Sequence, residues 1–150
     1  MTISAGDRLP DANLSRIGPQ GPEHIALSSL SGGRKLVLFG LPGAFTRTCT
    51  AAHLPSFMRT AAAFREKGID HVVCLAVNDP FVMHAWDEAM GASAAGIEML
   101  ADGASTFAKA AGLAFSMPAL GFIDRCARFS ALVDDGVVKI LNLEEKSGTC

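Results

Sequence analysis

Short apolar runs recur along the 150 residues, and between them lie clusters of glycine, proline and small polar side chains. "KLVLFG" reads as a short buried strand after "LSSLSGG", taken as a turn. "HVVCLAV" is apolar almost throughout, the mark of a central strand in a sheet covered on both faces. "IEMLAD" is a further short strand. Apolar positions at helical spacing predict a helix from about Thr48 to Lys67, ended by Gly68 and kinked by Pro55. "NDPFVMHAWDEAM" predicts a second, with Asn78 or Asp79 as cap and Pro80 at the first helical position. "GASTFAKAAG" is a short helix ending at Gly112. "RFSALV" and "VVKILNLE" flank Asp135-Gly136, a turn pair that joins hairpin strands. A Gly/Pro-rich opening, "RIGPQGPEH", precedes these elements.

Strand, helix, strand, helix, strand, helix, hairpin is an α/β layered pattern with a mixed sheet. The pattern fits a thioredoxin-like fold with extra elements and equally a flavodoxin-like sheet. No repeat, linker or low-complexity tract divides the chain, so one domain over residues 1–150 is expected. Composition adds that the chain is 49% hydrophobic and 19% charged, as an ordered globular protein is. A formal charge of −2 with no basic run points away from nucleic acid and acidic membranes as partners. The most apolar stretch, "KLVLFGLPGAF", is broken by Gly40, Pro42 and Gly43, too short to span a bilayer. The opening residues have no secretory pattern, and a cytoplasmic protein is expected. Cys49, Cys74, Cys126 and Cys150 are far apart with no C-x-x-C, so any working cysteine acts singly or pairs transiently.

The densest chemistry lies in "LPGAFTRTCTAAHLP", where a strand hands over to a helix. A helix starting near Thr48 puts Cys49 in its first turn, where free N–H groups and the helix dipole favour a thiolate. Lowering a cysteine from about 8.5 to about 6 takes roughly 3.4 kcal/mol. A helix end supplies about 1–2 kcal/mol, so a cation such as Arg47 or a distant arginine must add the rest. Full ionisation raises the thiolate population only about 30-fold, so a specialised nucleophile must also stabilise its transition state. Thr46 is placed to hold a hydroxyl over the sulfur, loop N–H groups to act as further donors, and Pro42 to stiffen and shield the loop. Such an arrangement suits attack on an O–O bond.

Pro42-x-x-x-Thr46-x-x-Cys49, within "PGAFTRTCTAAHLPSF" and followed by "VVCLAVNDPFVMHAW", resembles the active-site signature of the peroxiredoxins, type-II or type-5-like subgroup. The likeness extends to "LVDDGVVKILNLE" and covers nearly the whole chain. It implies a three-layer thioredoxin-like fold, a central mixed sheet flanked by helices, with N-terminal additions. It implies a thiol peroxidase acting on hydrogen peroxide and organic hydroperoxides without metal, flavin or haem. Cys49 would be the peroxidatic cysteine, Thr46 would orient peroxide and thiolate, and Pro42 and Gly43 would form the substrate loop. The partner arginine would be Arg125 of "DRCARFS", and the assembly a homodimer. Position 47 is Arg where relatives often have Pro, Cys126 stands where a serine is common, and relatives usually continue past Cys150 into a short helix.

Simpler readings stand beside these. Thr46 or Thr48 also suits the N-cap role, and Cys74 within "VVCLAV" reads as an inert buried thiol. His53, four residues after Cys49, is spaced for a Cys–His pair, yet no orienting carboxylate stands near and a structural histidine is favoured. Trp86, Phe81 and Met83 read as core, or as dimer contact if the resemblance is followed. The rival functions are a non-enzymatic peroxide sensor and a Cys49–His53 hydrolase. A sulfenic acid on Cys49 needs a reductant. By resemblance this is glutathione or glutaredoxin, the favoured route, or thioredoxin acting on a disulfide with Cys150 as resolving thiol.

Overall fold

The computed structural model describes residues 2–47 and 49–143, without the side chains of Cys49 and Ala51. Cys150, and Thr48 as a helix start, therefore lie outside the described residues. The elements run β1 (Asn13–Gly18), β2 (Gly21–Ala26), α1 (Leu27–Ser31), β3 (Lys35–Leu41), a π-helical turn (Cys49–His53), α2 (Leu54–Glu66), β4 (His71–Ala76), α3 (Pro80–Met90), β5 (Glu98–Ala101), α4 (Thr106–Ala110), β6 (Ala114–Met117), a 3₁₀ turn (Pro118–Leu120), β7 (Phe122–Cys126), β8 (Phe129–Asp134) and β9 (Val137–Leu143).

Among the described residues the main sheet has seven strands in the order β2-β1-β5-β4-β3-β8-β9, and β6 and β7 form a separate ribbon. β3, β4 and β5 are parallel to one another. β1 and β8 run antiparallel to their neighbours, so the sheet is mixed as expected. Alternation along the central strands sends successive side chains to opposite faces. Leu36 and Leu38 of β3, with Val73 and Leu75 of β4, face Leu27 and Leu30 of α1 and Phe107 and Ala108 of α4. Val37, Phe39 and Leu41, with Val72 and Cys74, face Leu54 and Ala61 of α2 and Met83 and Trp86 of α3. Two helical layers thus cover one sheet, which explains the unbroken apolar runs of β3 and β4.

Several elements differ from the expected pattern. The opening is a hairpin, β1–β2, at the sheet edge. "LSSLSGG" is the short helix α1, tied by Asp11, which accepts from the Ser28 N–H at 2.9 Å and from its hydroxyl at 2.8 Å. The long helix changes its winding just before Pro55. A π-helical turn runs directly into α2, and Pro55, which has no N–H to donate to the turn before it, lies at that junction. Two further signals hold. Asp79 caps α3 by accepting from the Val82 N–H at 2.9 Å. Asp135 and Gly136 both take positive φ, 48° and 78°, which is how a two-residue turn joins β8 to β9.

Candidate active site

The loop from Pro42 to Thr46 leaves the C-terminal end of β3 and leads into the π-helical turn that carries Cys49. A π-turn closes i→i+5 bonds and is wider than the α-helix around it. The residue before α2, His53, is itself helical with φ −66° and ψ −59° and makes no side-chain cap bond. Distant groups hold this segment instead. Asn78 Oδ1, at the end of β4, accepts from the Ala44 N–H at 2.9 Å. The indole N–H of Trp86 in α3 donates to the Thr50 hydroxyl at 3.2 Å. Sequence reasoning treated Asn78 only as a candidate helix cap; its tie to the loop spans 34 residues and has no local signal.

Thr46 ties the loop through both of its oxygens. Its hydroxyl donates back to the Gly43 carbonyl at 2.7 Å, while its own carbonyl accepts from the Thr50 N–H at 2.9 Å. With the proton committed to a carbonyl, Thr46 Oγ1 keeps only acceptor capacity for a ligand. Arg125, on β7, donates from Nη1 to the Pro42 carbonyl at 2.9 Å across 83 residues. Its guanidinium lies 5.1 Å from the centre of the Phe122 ring, a cation–π contact that helps fix its plane. Burial lowers the basicity of Arg125, and a guanidinium stays charged at neutral pH all the same. Gly43 makes the approach possible. A Cβ there would collide with Arg125 Nη1 and would stand 3.5 Å from Thr46 Cγ2 and 3.6 Å from Asn78 Oδ1. Pro42, Gly43, Thr46 and Arg125 therefore meet at one place, against the loop that ends at the Cys49 turn.

The other candidates are placed differently. The His53 ring packs against Phe39 and Phe57, with centroids 5.5 and 5.6 Å away. Its buried Nδ1 has no hydrogen-bond partner among the described residues. Burial first, and the charge of Arg128 second, push its pKa down to about 4. With its ring packed between two phenylalanines and no carboxylate on Nδ1 among the described residues, His53 lacks the orienting partner that a Cys–His base uses. Cys74 and Cys126 are buried, and burial drives both thiols far above the ordinary range. An apolar trough of about 420 Å³ between α2 and β8–β9, with Val37, Phe57, Phe64 and Ile140 in its walls, lies away from this constellation.

The Redoxin family pattern matches residues 4–149. A rice protein, Peroxiredoxin-2E-2, chloroplastic, is 45% identical over 148 residues, covering 96% of this chain and 66% of its own. Peroxiredoxin-2E, chloroplastic, of Arabidopsis thaliana is 43% identical, with 96% and 63% covered. The chain thus spans about two thirds of the length of these curated relatives. The crystal structure of reduced Prx3 from Vibrio vulnificus in complex with hydrogen peroxide superposes with a TM-score of 0.91 at 43% identity, over 97% of this chain and 91% of that one. The chain belongs to the Redoxin family and, within it, to the peroxiredoxins, a class of thiol peroxidases.

The cytoplasmic expectation is overturned by the same comparisons. The rice and Arabidopsis relatives are named chloroplastic, and a further Arabidopsis relative, 44% identical, is named mitochondrial. The physical reason is that an organellar address is carried by a removable segment, so it leaves no mark on the folded domain from which the expectation was drawn.

Proposed function

We propose that this chain reduces hydrogen peroxide and small organic hydroperoxides through Cys49. The Cys49 thiolate attacks one peroxide oxygen. The S–O bond forms as the O–O bond breaks, and the leaving oxygen departs as water or an alcohol after taking a proton. Thr46 Oγ1, committed as a donor to Gly43, accepts from the hydroperoxide O–H and so fixes which oxygen faces the sulfur. Arg125 has donors beyond the one given to Pro42, and they are available to the oxygens as charge develops on the leaving one. Pro42 and Gly43 form the wall of the site. The observation that carries this reading is the seating of Arg125 on Pro42, because it brings a remote cation to the loop before Cys49.

The resulting sulfenic acid is recycled by thiols, with glutathione or glutaredoxin as the primary route. One observation favours a second route through Cys150. Leu143 lines a cleft together with Ala52 and His53, so seven further residues, at about 3.4 Å each when extended, have the reach to bring Cys150 to the Cys49 turn. Thioredoxin would then open the disulfide. A homodimer is part of the proposal, supported by the apolar side chains of Phe45, Phe81, Leu120 and Ile123, each more than half exposed. An organelle is the setting that the relatives' names support.

Intact mass after one equivalent of hydrogen peroxide tests the reading. The reduced protein should gain one oxygen on Cys49, or lose two hydrogens if Cys150 resolves it. The rate should fall at least about 1000-fold in Cys49→Ser. A mass change that survives Cys49→Ser would sink the peroxidase reading and leave a sensor or another thiol as the explanation.

A further inference from the structure

Asn78 and Asp79 follow β4 side by side, and of the two Asp79 is the cap of α3. Asn78 serves the neighbouring loop, where its Oδ1 accepts from the Ala44 N–H at 2.9 Å. Its own place is firmly set. The Ala76 carbonyl accepts from the Asp102 N–H at 2.8 Å just before it, and the capped start of α3 follows. The loop it meets needs such support, because Phe45 takes φ 63°, a left-handed conformation unfavourable for a bulky side chain. The Ala44 N–H belongs to the same peptide unit as the Gly43 carbonyl, which accepts from the Thr46 hydroxyl at 2.7 Å. That unit is trans and planar, so its N–H and C=O point in opposite directions. Holding one therefore fixes the other. With its N–H on Asn78, the unit turns its carbonyl to Thr46 and takes the single hydroxyl proton. Turned over, it would present the N–H instead, and the Thr46 hydroxyl would accept that bond and keep its own proton to donate.

We propose that Asn78 is a positioning residue which, through the Gly43–Ala44 peptide, fixes the Thr46 hydroxyl as an acceptor towards the hydroperoxide. The proposal rests on the peroxidase reading and names what sets the polarity of its substrate contact. Only an acceptor can answer the Ala44 N–H, and Asn78 Oδ1 is one, so the peptide is held in a single sense. The hydroperoxide O–H then finds an acceptor in Thr46 Oγ1, while the donors of Arg125 face its oxygens. A Thr46 hydroxyl that donated would join Arg125 as a second donor and leave the peroxide O–H without an acceptor at this position. Asn78 touches neither the peroxide nor the sulfur, and it acts by way of Thr46.

The experiment follows loss of the free Cys49 thiol in the full reduced chain, by rapid quenching and peptide mass. One series uses hydrogen peroxide and another iodoacetamide, which consumes the thiolate without needing an acceptor on Thr46. The ratio of the two rates therefore separates the handling of peroxide from the supply and access of thiolate. Asn78→Leu, similar in shape but with no acceptor, should lower that ratio roughly ten-fold. Asn78→Asp, whose ionised carboxylate only accepts, should restore it to within about two-fold. In a Thr46→Val background Asn78→Leu should lower the ratio no further, since the hydroxyl that Asn78 orients is gone. Asn78→Ala takes the place of the leucine variant if that variant does not fold. Equal losses of both rates would make Asn78 a purely structural residue and overturn the proposal. A further loss in the Thr46→Val background, or no restoration by Asn78→Asp, would overturn it as well. Unsubstituted Cys49 that reacts with peroxide no faster than free cysteine would instead overturn the peroxidase reading, a result seen without any Asn78 variant.

Discussion

α3 and the entrance to α2 pack on the same face of the sheet, each follows a parallel strand, and each has a proline in its first turn. They are built in opposite ways. α3 begins at Asp79, whose extended backbone (φ −77°, ψ 164°) and capping carboxylate satisfy the Val82 N–H. It ends at Gly91, with φ 75° and an N–H bonded to the Asp87 carbonyl. α2 begins without a side-chain cap, through a π-helical turn that carries Cys49, and its loop is pinned by Asn78, Arg125 and Trp86 from elsewhere. Local rules suffice for the helix that is scaffold. The helix entrance that carries Cys49 departs from them, and tertiary contacts hold it in place.

Gly43→Ala should break the comparison most severely. The new Cβ collides with Arg125 Nη1, displaces the guanidinium from Pro42 and should slow single-turnover oxidation of Cys49 by about 10–100-fold. Amide exchange in α3 should be unchanged. A rate equal to that of the unsubstituted protein would show that the seating of Arg125 does not matter to the chemistry.

A pH effect follows from His53. Its folded pKa of about 4 lies below the ordinary 6.5, so between those values the unfolded chain binds the proton more readily. The stability from a neutral His53 is complete above pH 6.5 and is lost as pH falls toward 4. On the order of 2 kcal/mol should disappear across that window, after allowance for partial exposure of the ring. Urea unfolding at pH 7 and pH 5 reads it, and His53→Leu should flatten the difference. An unchanged slope in that variant would assign the pH dependence to other groups.

Asp79→Ala should have the smallest effect, a stability loss of about 1 kcal/mol from the lost cap. Equilibrium denaturation checks the loss, and the Cys49 oxidation rate should hold. If that rate falls with stability, the division between scaffold helix and reactive helix is wrong.

The chain itself determined the elements whose causes are local or periodic. β3 and β4 were legible because strands covered on both faces are apolar throughout, α3 because Asp79 and Pro80 spell a helix start, and the β8–β9 hairpin because Asp135-Gly136 accepts positive φ. The edge hairpin β1–β2 was not legible, since its strand β2 alternates half-buried and exposed residues around Gly21 and Pro22. Nor was α1, which is five residues long and held by Asp11 from another segment. Pro42, Thr46 and Cys49 drew attention by their spacing alone. Arg125 came only from family resemblance, because a bond across 83 residues leaves no trace in local sequence. Tertiary structure alone decided that the loop receives Arg125, Asn78 and Trp86. Helix and strand signals are set by neighbours along the chain, whereas a site is set by neighbours in space.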